Sequence, residues 1–243
     1  MAKFFWSGIK KSEILNVEDM HIHLKEAIYN QELFNTYVKK CIDCGIKKVV
    51  FLDHGNRISN KHKPVLSTKE TIDQLDKKIS EFRRSDLNDK LKILKGIEID
   101  YSTDLNFRNQ TLEILNYGKF DWIVGAIHSM SFDDYENYLE AIIDMLNNYD
   151  INVIAHIKKT NQYNIYDNLF GQILDICKKK KVLIEINTSD RSRWDDDQLY
   201  YMLKIMKSHN VKYVFSSDAH KVEDIGYMIK ETEEKVKKWK KTR

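Results

Sequence analysis

Short apolar segments alternate with longer amphipathic segments along the chain. The short segments are rich in Val and Ile, which favour strands, and the longer ones repeat apolar residues at the three-to-four-residue spacing of a helix. They predict strands at 19–23, 48–52, 92–99, 122–127, 152–155, 182–186 and 213–216. They also predict helices at about 31–44, 67–82, 108–115, 135–147, 166–179, 195–208 and 222–240. This regular alternation indicates parallel strands joined by crossover helices.

Polar residues stand at the ends of nearly all predicted strands. A barrel brings the carboxyl end of every strand to one mouth, whereas an open doubly wound sheet gathers ligands from two or three strands only. The chain has only 8 glycines and lacks the glycine-rich fingerprints that bind nucleotide phosphates. We therefore expect an α/β fold, a distorted TIM-like (β/α)7 barrel, with its metal site at the C-terminal mouth of the strands.

Length and composition favour a single domain. A chain of 243 residues fits one α/β barrel, and it contains no Pro-, Gly- or Ser-rich linker. We expect residues 1–243 to form one domain. The 40 basic residues nearly balance the 37 acidic ones, so bulk charge does not indicate nucleic-acid binding.

Cysteine content and hydropathy indicate the compartment. Three cysteines do not make a disulfide framework in a chain of this length, and we interpret Cys41 and Cys44 as structural residues of a helix. The chain has no apolar run of 18 residues, and its N-terminus lacks the apolar segment of a signal peptide. We expect a cytoplasmic protein that does not enter membranes.

Six of the 8 histidines lie at the ends of predicted strands, most of them beside an acidic residue. The candidate metal ligands are His21, His23, His54, Glu98, His128, His156, Asp218 and His220. Alternate residues of a strand share a face, so His21 and His23 can reach one ion together, and so can Asp218 and His220. Imidazole and carboxylate groups suit zinc, manganese or iron, and Glu98 is placed to bridge two ions. Two bridged ions would activate a hydroxide for in-line attack on a phosphoryl group, so the set predicts hydrolysis.

An ordered series of motifs resembles the PHP (polymerase and histidinol phosphatase) superfamily. The motifs are Asp19-x-His21-x-His23, Asp53-His54, Gly96-Ile97-Glu98, Gly125-Ala126-Ile127-His128-Ser129, Ile154-Ala155-His156 and Ser217-Asp218-Ala219-His220. Residues 21–26, and 185–189 followed by Arg191, are similar to the stand-alone histidinol-phosphatase branch. The resemblance implies a (β/α)7 barrel with two or three divalent ions (Zn, Mn or Fe) at its mouth and hydrolysis of a phosphate monoester, histidinol phosphate.

The resemblance also implies a role for each ligand. The first ion would be held by His21, His23, Glu98 and Asp218. The second ion would be held by Glu98, His128 and His156. His54 and His220 would contribute to a third ion. The family usually has one more His or Asp for that ion a few residues after the second motif histidine. This chain offers Glu26, Tyr29 or Asn30 there, and we take Glu26 as the substitute.

Two arginines follow the sixth predicted strand at the mouth. A guanidinium makes bidentate bonds to phosphate oxygens, and of Arg191 and Arg193 the resemblance favours Arg191 for this contact. Asn187 would donate to the same phosphate or position a metal ligand. Asp218 or His220 would deliver a proton to the leaving alkoxide, and the sequence does not separate these two roles.

Several other polar residues have less specific interpretations. We expect Asp19 and Asp53 to orient neighbouring ligands or to stabilise the fold. Asp100 would line the pocket or have a structural role. His62 and His209 are expected at the surface.

Three classes of function fit these features. The first is a metal-dependent phosphomonoesterase, acting on histidinol phosphate or, as an alternative, on a phosphotyrosine, a nucleotide or another metabolite. The second is a nucleic-acid-processing or nucleic-acid-binding module, for which the basic segment 235–243 with Trp239 is the available surface. The third is a metal-binding scaffold or sensor without catalysis. The balanced charge and the nearly complete ligand set favour the first, with a small phosphate ester as partner and an oligomeric state left open.

Overall fold

The central sheet consists of parallel strands that follow one another around a barrel. The computed structural model describes residues 17–58, 64–66, 68–128, 135–157 and 167–241. In these ranges the strands are β1 (Val17–His23), β2 (Ile46–Leu52), β3 (Asn56–Ile58), β4 (Pro64–Leu66), β5 (Lys92–Asp100), β6 (Trp122–Ala126), β7 (Val153–Ile154), β8 (Leu183–Asn187) and β9 (Tyr213–Ser216). A seven-stranded parallel sheet has the order β1-β2-β5-β6-β7-β8-β9, and β3 and β4 form a separate antiparallel pair.

Helices connect the strands. They are α1 (Gln31–Asp43), α2 (Lys69–Arg83), α3 (Leu105–Gly118), α4 (Tyr135–Asn148), α5 (Asp167–Lys180), α6 (Asp196–Ser208) and α7 (Ile229–Lys241). At several described helix starts, a side chain accepts a hydrogen bond from a backbone N–H of the first turn, a group that the helix itself leaves unpaired. These N-cap residues are Asn30, Thr68, Asp104 and Asp195.

The first strand of the sheet meets the segment that follows the last strand, which nearly closes the barrel. The His23 N–H donates to the Ala219 carbonyl oxygen at 2.9 Å, and Ile22 forms a parallel bridge with Ala219. The register of β1 against β2 shifts between Asp19 and Ile22, a local irregularity of this closing strand. This contact covers part of the edges that an open sheet would expose. The predicted distorted (β/α)7 barrel is confirmed.

A compact apolar cluster fills the inside of the barrel. Its buried members are Met20, Val50, Leu52, Val124, Ala126, Val153 and Ala155. None of these buried residues lies on a helix, so the cluster is distinct from the two clusters in which helices pack on the outside of the sheet. Gly96 lies where β5 approaches β2 closely: a Cβ atom there would be 2.4 Å from Val50 Cγ1. Only glycine fits this position without displacing the interior.

The main differences from the sequence prediction are two additional strands and the starts of two helices. The short strands β3 and β4 were not predicted, because three residues each are too few to show a period. Helix α3 begins earlier than predicted, at Leu105, because Asp104 caps it. Helix α7 begins only at Ile229, because Gly226 and Met228 have positive φ angles of 73° and 53°, which interrupt the predicted helix.

Several residues outside the mouth have clear positions. Cys41 is buried in the core, and Cys44 is partly exposed. Trp239 packs against Tyr200 with ring centroids 5.7 Å apart, and His209 Nδ1 lies 2.9 Å from Asp175 Oδ1. His62 lies outside the described residues. None of the helices in the described ranges has the length and hydropathy needed to cross a membrane.

Two leucines in neighbouring helices test the assignment of the core. Leu139 on α4 is 0% exposed, whereas Leu105 at the start of α3 is 72% exposed. We expect Leu139→Ala to lower the free energy of unfolding by about 2–5 kcal/mol, because it removes buried contacts and leaves a cavity. The matched control, Leu105→Ala, should change it by about 0.5 kcal/mol or less. Urea unfolding measures both, and equal effects would contradict the assignment.

Candidate metal centre

The candidate ligands from the sequence all lie at the C-terminal ends of the parallel strands. β1 supplies His21 and His23, and β5 supplies Glu98. The others follow strands directly: His54 after β2, His128 after β6, His156 after β7, and Asp218 and His220 after β9. The barrel therefore brings to one mouth residues that are spread along almost the whole chain.

The imidazoles of His21 and His23 face each other. Their Nε2 atoms are 3.0 Å apart. The Nδ1–H of His21 donates to Glu185 Oε1 at 2.8 Å, which leaves the lone pair of His21 on Nε2. Two nitrogens that each lie about 2.0–2.1 Å from one zinc ion are about 3.0–3.4 Å apart. The spacing of this pair is therefore that of two ligands of a single ion.

The two carboxylate oxygens of Glu98 face different sets of imidazoles. Oε2 lies 2.8 Å from His54 Nδ1 and 3.3 Å from His23 Nε2. Oε1 lies 3.1 Å from His156 Nε2 and 3.4 Å from His128 Nε2. A carboxylate with nitrogen donors on both sides has the arrangement of a ligand that bridges two cations.

The donor atoms around Glu98 fit a cation better than they fit one another. Glu98 Oε2 is buried, and within the described part of the chain it accepts no hydrogen bond of acceptable geometry, although several imidazole nitrogens lie close to it. The buried Nδ1 of His128 likewise has no hydrogen-bond partner among the described residues. Buried polar atoms without partners are costly, and a cation held by this nitrogen and oxygen donor set would satisfy the Glu98 oxygen.

Asp218 and His220 reach the mouth from a turn. β9 ends at Ser216, and Asp218 has a positive φ of 51°, so strand alternation is not what brings these two residues together. Asp218 Oδ1 lies 3.6 Å from His21 Nε2 and 3.5 Å from His23 Nε2. The Nδ1–H of His220 donates to the Asp218 carbonyl oxygen at 2.9 Å, which leaves the lone pair of His220 on Nε2.

A further group of three imidazoles lies beside the first pair. His23, His54 and His220 offer nitrogens that all lie within 4.8 Å of one another. His54 is also grouped with Glu98 and His128, so it stands between two sets of donors. Glu26 is exposed and belongs to none of the groups found among the described residues. This third group is therefore built from imidazoles alone.

Glu185 organises the site, and the sequence analysis gave it no role. Its carboxylate is buried and accepts hydrogen bonds from His21 Nδ1–H at 2.8 Å, from the His156 N–H at 2.6 Å and from Asn187 Nδ2 at 3.1 Å. It thus orients two candidate ligands at once, one through its ring and one through its backbone. Its position two residues before Asn187 on β8, on the same face, is the signal that could have identified it.

Other polar residues contact the candidate ligands on the side away from the centre of the site. Asp100 Oδ1 accepts the His128 N–H at 2.9 Å, and Asp53 Oδ1 lies 3.5 Å from His23 Nδ1. Asn187 Nδ2 also lies 3.3 Å from Asp218 Oδ2, so Asn187 positions this carboxylate. These contacts orient ligands without using the atoms that face the centre of the site.

Carboxylates and imidazoles shift each other's pKa at this mouth. Burial alone would raise the pKa of Glu98, but the imidazoles of His128 and His54 outweigh burial and hold it well below its usual range. Burial opposes protonation of His23 too, yet Asp218 and the other carboxylates close to its ring raise its pKa to about 10. Protons and metal ions bind the same nitrogens, so the carboxylates that favour a proton there also favour a cation.

The proton-carrying candidates are both deprotonated near neutral pH. Burial would raise the pKa of Asp218, but the imidazoles of His21 and His23 outweigh it and hold that pKa below its usual range. Burial and the neighbouring His23 lower the pKa of His220 to about 4. Each can therefore accept a proton or bind a cation before it donates.

The two arginines have different surroundings. Arg191 lines a cavity of 320 Å³ that is also lined by Asp218 and His220. Arg193 lies 3.6 Å from Asp190 and lines a separate cavity beside Trp194. Of the two, Arg191 is the one that shares a cavity with candidate ligands.

Comparisons with known proteins give a similar sequence and similar folds. A curated histidinol-phosphatase from Lactococcus lactis subsp. lactis (strain IL1403) is 22% identical, over 83% of this chain and 83% of that protein. A crystal structure of histidinol phosphate phosphatase from the same strain, complexed with zinc, L-histidinol and phosphate, has a TM-score of 0.73 at 19% identity, with 92% of this chain and 93% of that chain covered. A structure of a putative histidinol phosphatase from Listeria monocytogenes has a TM-score of 0.62 at 17% identity, with coverages of 86% and 97%.

A protein-family model matches most of the chain. The family model described as the PHP domain matches residues 19–189, well over half of the sequence. This match runs from the first predicted strand motif through the segment that contains Glu185. The chain therefore belongs to the PHP domain family.

Proposed function

We propose that the protein is a metal-dependent phosphomonoester hydrolase that converts histidinol phosphate and water to histidinol and phosphate. The observation that carries the proposal is the buried carboxylate of Glu98, whose two oxygens face separate sets of imidazole nitrogens. Similar proteins from Lactococcus lactis are named for hydrolysis of this ester, and one of their structures contains zinc, L-histidinol and phosphate. These similarities support the choice of substrate.

The donor set divides around Glu98. The first ion would be held by His21, His23, Glu98 and Asp218. The second would be held by Glu98, His128 and His156. His54 and His220 would contribute to a third position. Bound divalent cations supply Lewis-acid polarisation of phosphoryl oxygens and lower the pKa of water.

The side chains of the protein position the ester and move the proton. Arg191, on the wall of the cavity that contains Asp218, would hold non-bridging phosphate oxygens as their charge is redistributed. Asp218, ionised and fixed by Asn187, would accept the proton of the attacking water and return it to the leaving alkoxide. Because its carboxylate is ionised, it has to accept a proton before it can return one.

The cysteines bear on the compartment. Cys41, Cys44 and Cys177 are free thiols. Free thiols are typical of a reducing compartment. We infer a cytoplasmic location.

Phosphate release by metal-reconstituted protein tests the function directly. Histidinol phosphate is compared with a phosphotyrosine peptide, a nucleoside monophosphate and a sugar phosphate. We expect kcat/KM for histidinol phosphate to exceed the others by about 100-fold, because polar groups built for one substrate discriminate strongly. Removal of the metal with a chelator should abolish turnover. Metal-dependent turnover with another preferred ester would refute the substrate, and no turnover of any ester would refute the function.

Substitution of Glu185 tests its role in metal binding. Glu185→Gln should weaken the affinity for zinc by about 10–100-fold, because it loses the charge that orients His21 and the backbone of His156. Competition with a chromogenic zinc chelator measures this affinity without any assay of activity. The matched control is Glu113→Gln on the exposed face of α3, which should leave the affinity unchanged. An unaltered affinity in Glu185→Gln would contradict the proposed role.

The two arginines provide a second test. Arg191→Ala should lower kcat/KM for histidinol phosphate by about 100-fold, because a charge-assisted contact to the phosphoryl group is lost. Arg193→Ala also removes a guanidinium group near the mouth. It should lower kcat/KM by less than about threefold, because Arg193 lines a different cavity. Steady-state kinetics of both variants decide between them, and a larger loss in Arg193→Ala would reverse the assignment.

A further inference from the structure

The cavity beside the metal centre carries both signs of charge. Its lining includes the cations Arg191 and Lys221 and, apart from Asp218, the carboxylates of Asp190 and Asp224. A pocket of 320 Å³ is of the size that encloses a small metabolite. A substrate that carries a phosphate and an ammonium group would match such a surface at both ends.

The two additional carboxylates differ in how they are engaged. Asp190 accepts a hydrogen bond from the Tyr227 hydroxyl at 3.0 Å and lies 3.6 Å from Arg193 Nη2. Asp224 is exposed, and no ion pair to a described cation is found for it. The charge of Asp190 is therefore already matched by the protein, whereas the charge of Asp224 is available to a ligand.

Asp224 is held on a fixed turn. Its N–H donates to the Lys221 carbonyl oxygen at 3.2 Å, and its own carbonyl accepts the Tyr227 N–H at 3.0 Å. Asp19 Oδ2 accepts both the Gly226 N–H at 3.1 Å and the Ser217 hydroxyl at 2.6 Å. The buried Asp19 carboxylate thus connects the turn that carries Asp224 to the segment that carries Asp218. A contact made by Asp224 would have a defined position relative to the reacting phosphate.

We propose that Asp224 is a specificity-determining residue that binds the protonated amine of an amino-alcohol phosphate while Arg191 and the metal centre bind its phosphate. The inference rests on the proposed phosphatase function and deepens it. Asp224 contributes to recognition of the amine, and it takes no part in breaking the phosphate ester bond.

The test compares two esters that differ only in the amine: histidinol phosphate and the same ester without its amino group. In the wild-type protein kcat/KM should favour the amine-bearing ester, mainly through KM. Asp224→Asn should reduce this preference by about tenfold and leave kcat/KM for the amine-free ester unchanged within about twofold. Glu223→Gln, which removes a neighbouring charge outside the cavity lining, is the matched control and should keep the preference.

The outcomes separate the inference from the function on which it rests. If Asp224→Asn lowers kcat/KM equally for both esters, or leaves the preference unchanged, Asp224 does not have the proposed role. Hydrolysis of the amine-free ester would still show that the protein is a phosphatase. A similar loss of preference in Glu223→Gln would show that the preference comes from a general effect of charge and not from a direct contact with Asp224. Absence of turnover on both esters in the wild-type protein would overturn the phosphatase function and this inference together.

Discussion

The buried carboxylate of Glu98 constrains the whole mouth of the barrel. A buried charge costs several kcal/mol of hydration free energy unless neighbouring groups compensate for it. Here compensation comes from imidazoles that belong to four other strands or to the segments after them, on both oxygens of one carboxylate. Those strands must therefore end within a few ångströms of the same point. The position of the strand ends and the donor set are thus linked by one electrostatic requirement.

Two residues at the mouth have strained backbone conformations that help to meet this requirement. His156 and Asp218 have positive φ angles of 29° and 51°, a region that costs residues other than glycine about 1–3 kcal/mol each. The His156 N–H donates to the buried Glu185 carboxylate at 2.6 Å, a contact that holds this conformation. Closed barrels with a packed interior can stabilise such local strain. The result is a set of donors fixed before a substrate arrives, which is what electrostatic catalysis needs.

The sequence predicted the features that depend on periodicity and missed those that depend on local turns. Alternation along β1 correctly placed His21 and His23 on one side, and the seven parallel strands followed from the pattern of apolar segments. The same alternation was a wrong reason for grouping Asp218 with His220, because their segment is a turn with a left-handed residue. Glu185 was overlooked because a carboxylate that orients ligands looks, in sequence, like any other strand residue. Such roles depend on contacts across the barrel, which no short motif contains.

Asp19 shows how a residue without contact to the reaction can determine its geometry. Burial raises its pKa from 3.8 to about 6, although hydrogen bonds from Ser217 and Gly226 oppose this shift. Because the pKa is higher in the folded state, the stability associated with the protonated form is present below pH 3.8 and is lost as the pH rises through about 6. At neutral pH the protein therefore retains a costly buried charge at this position. The hydrogen bonds that this carboxylate accepts from Ser217 and Gly226 connect the turn of Asp218 to the turn of Asp224, and so fix the separation of the two residues that we propose to act on the ester and on its amine.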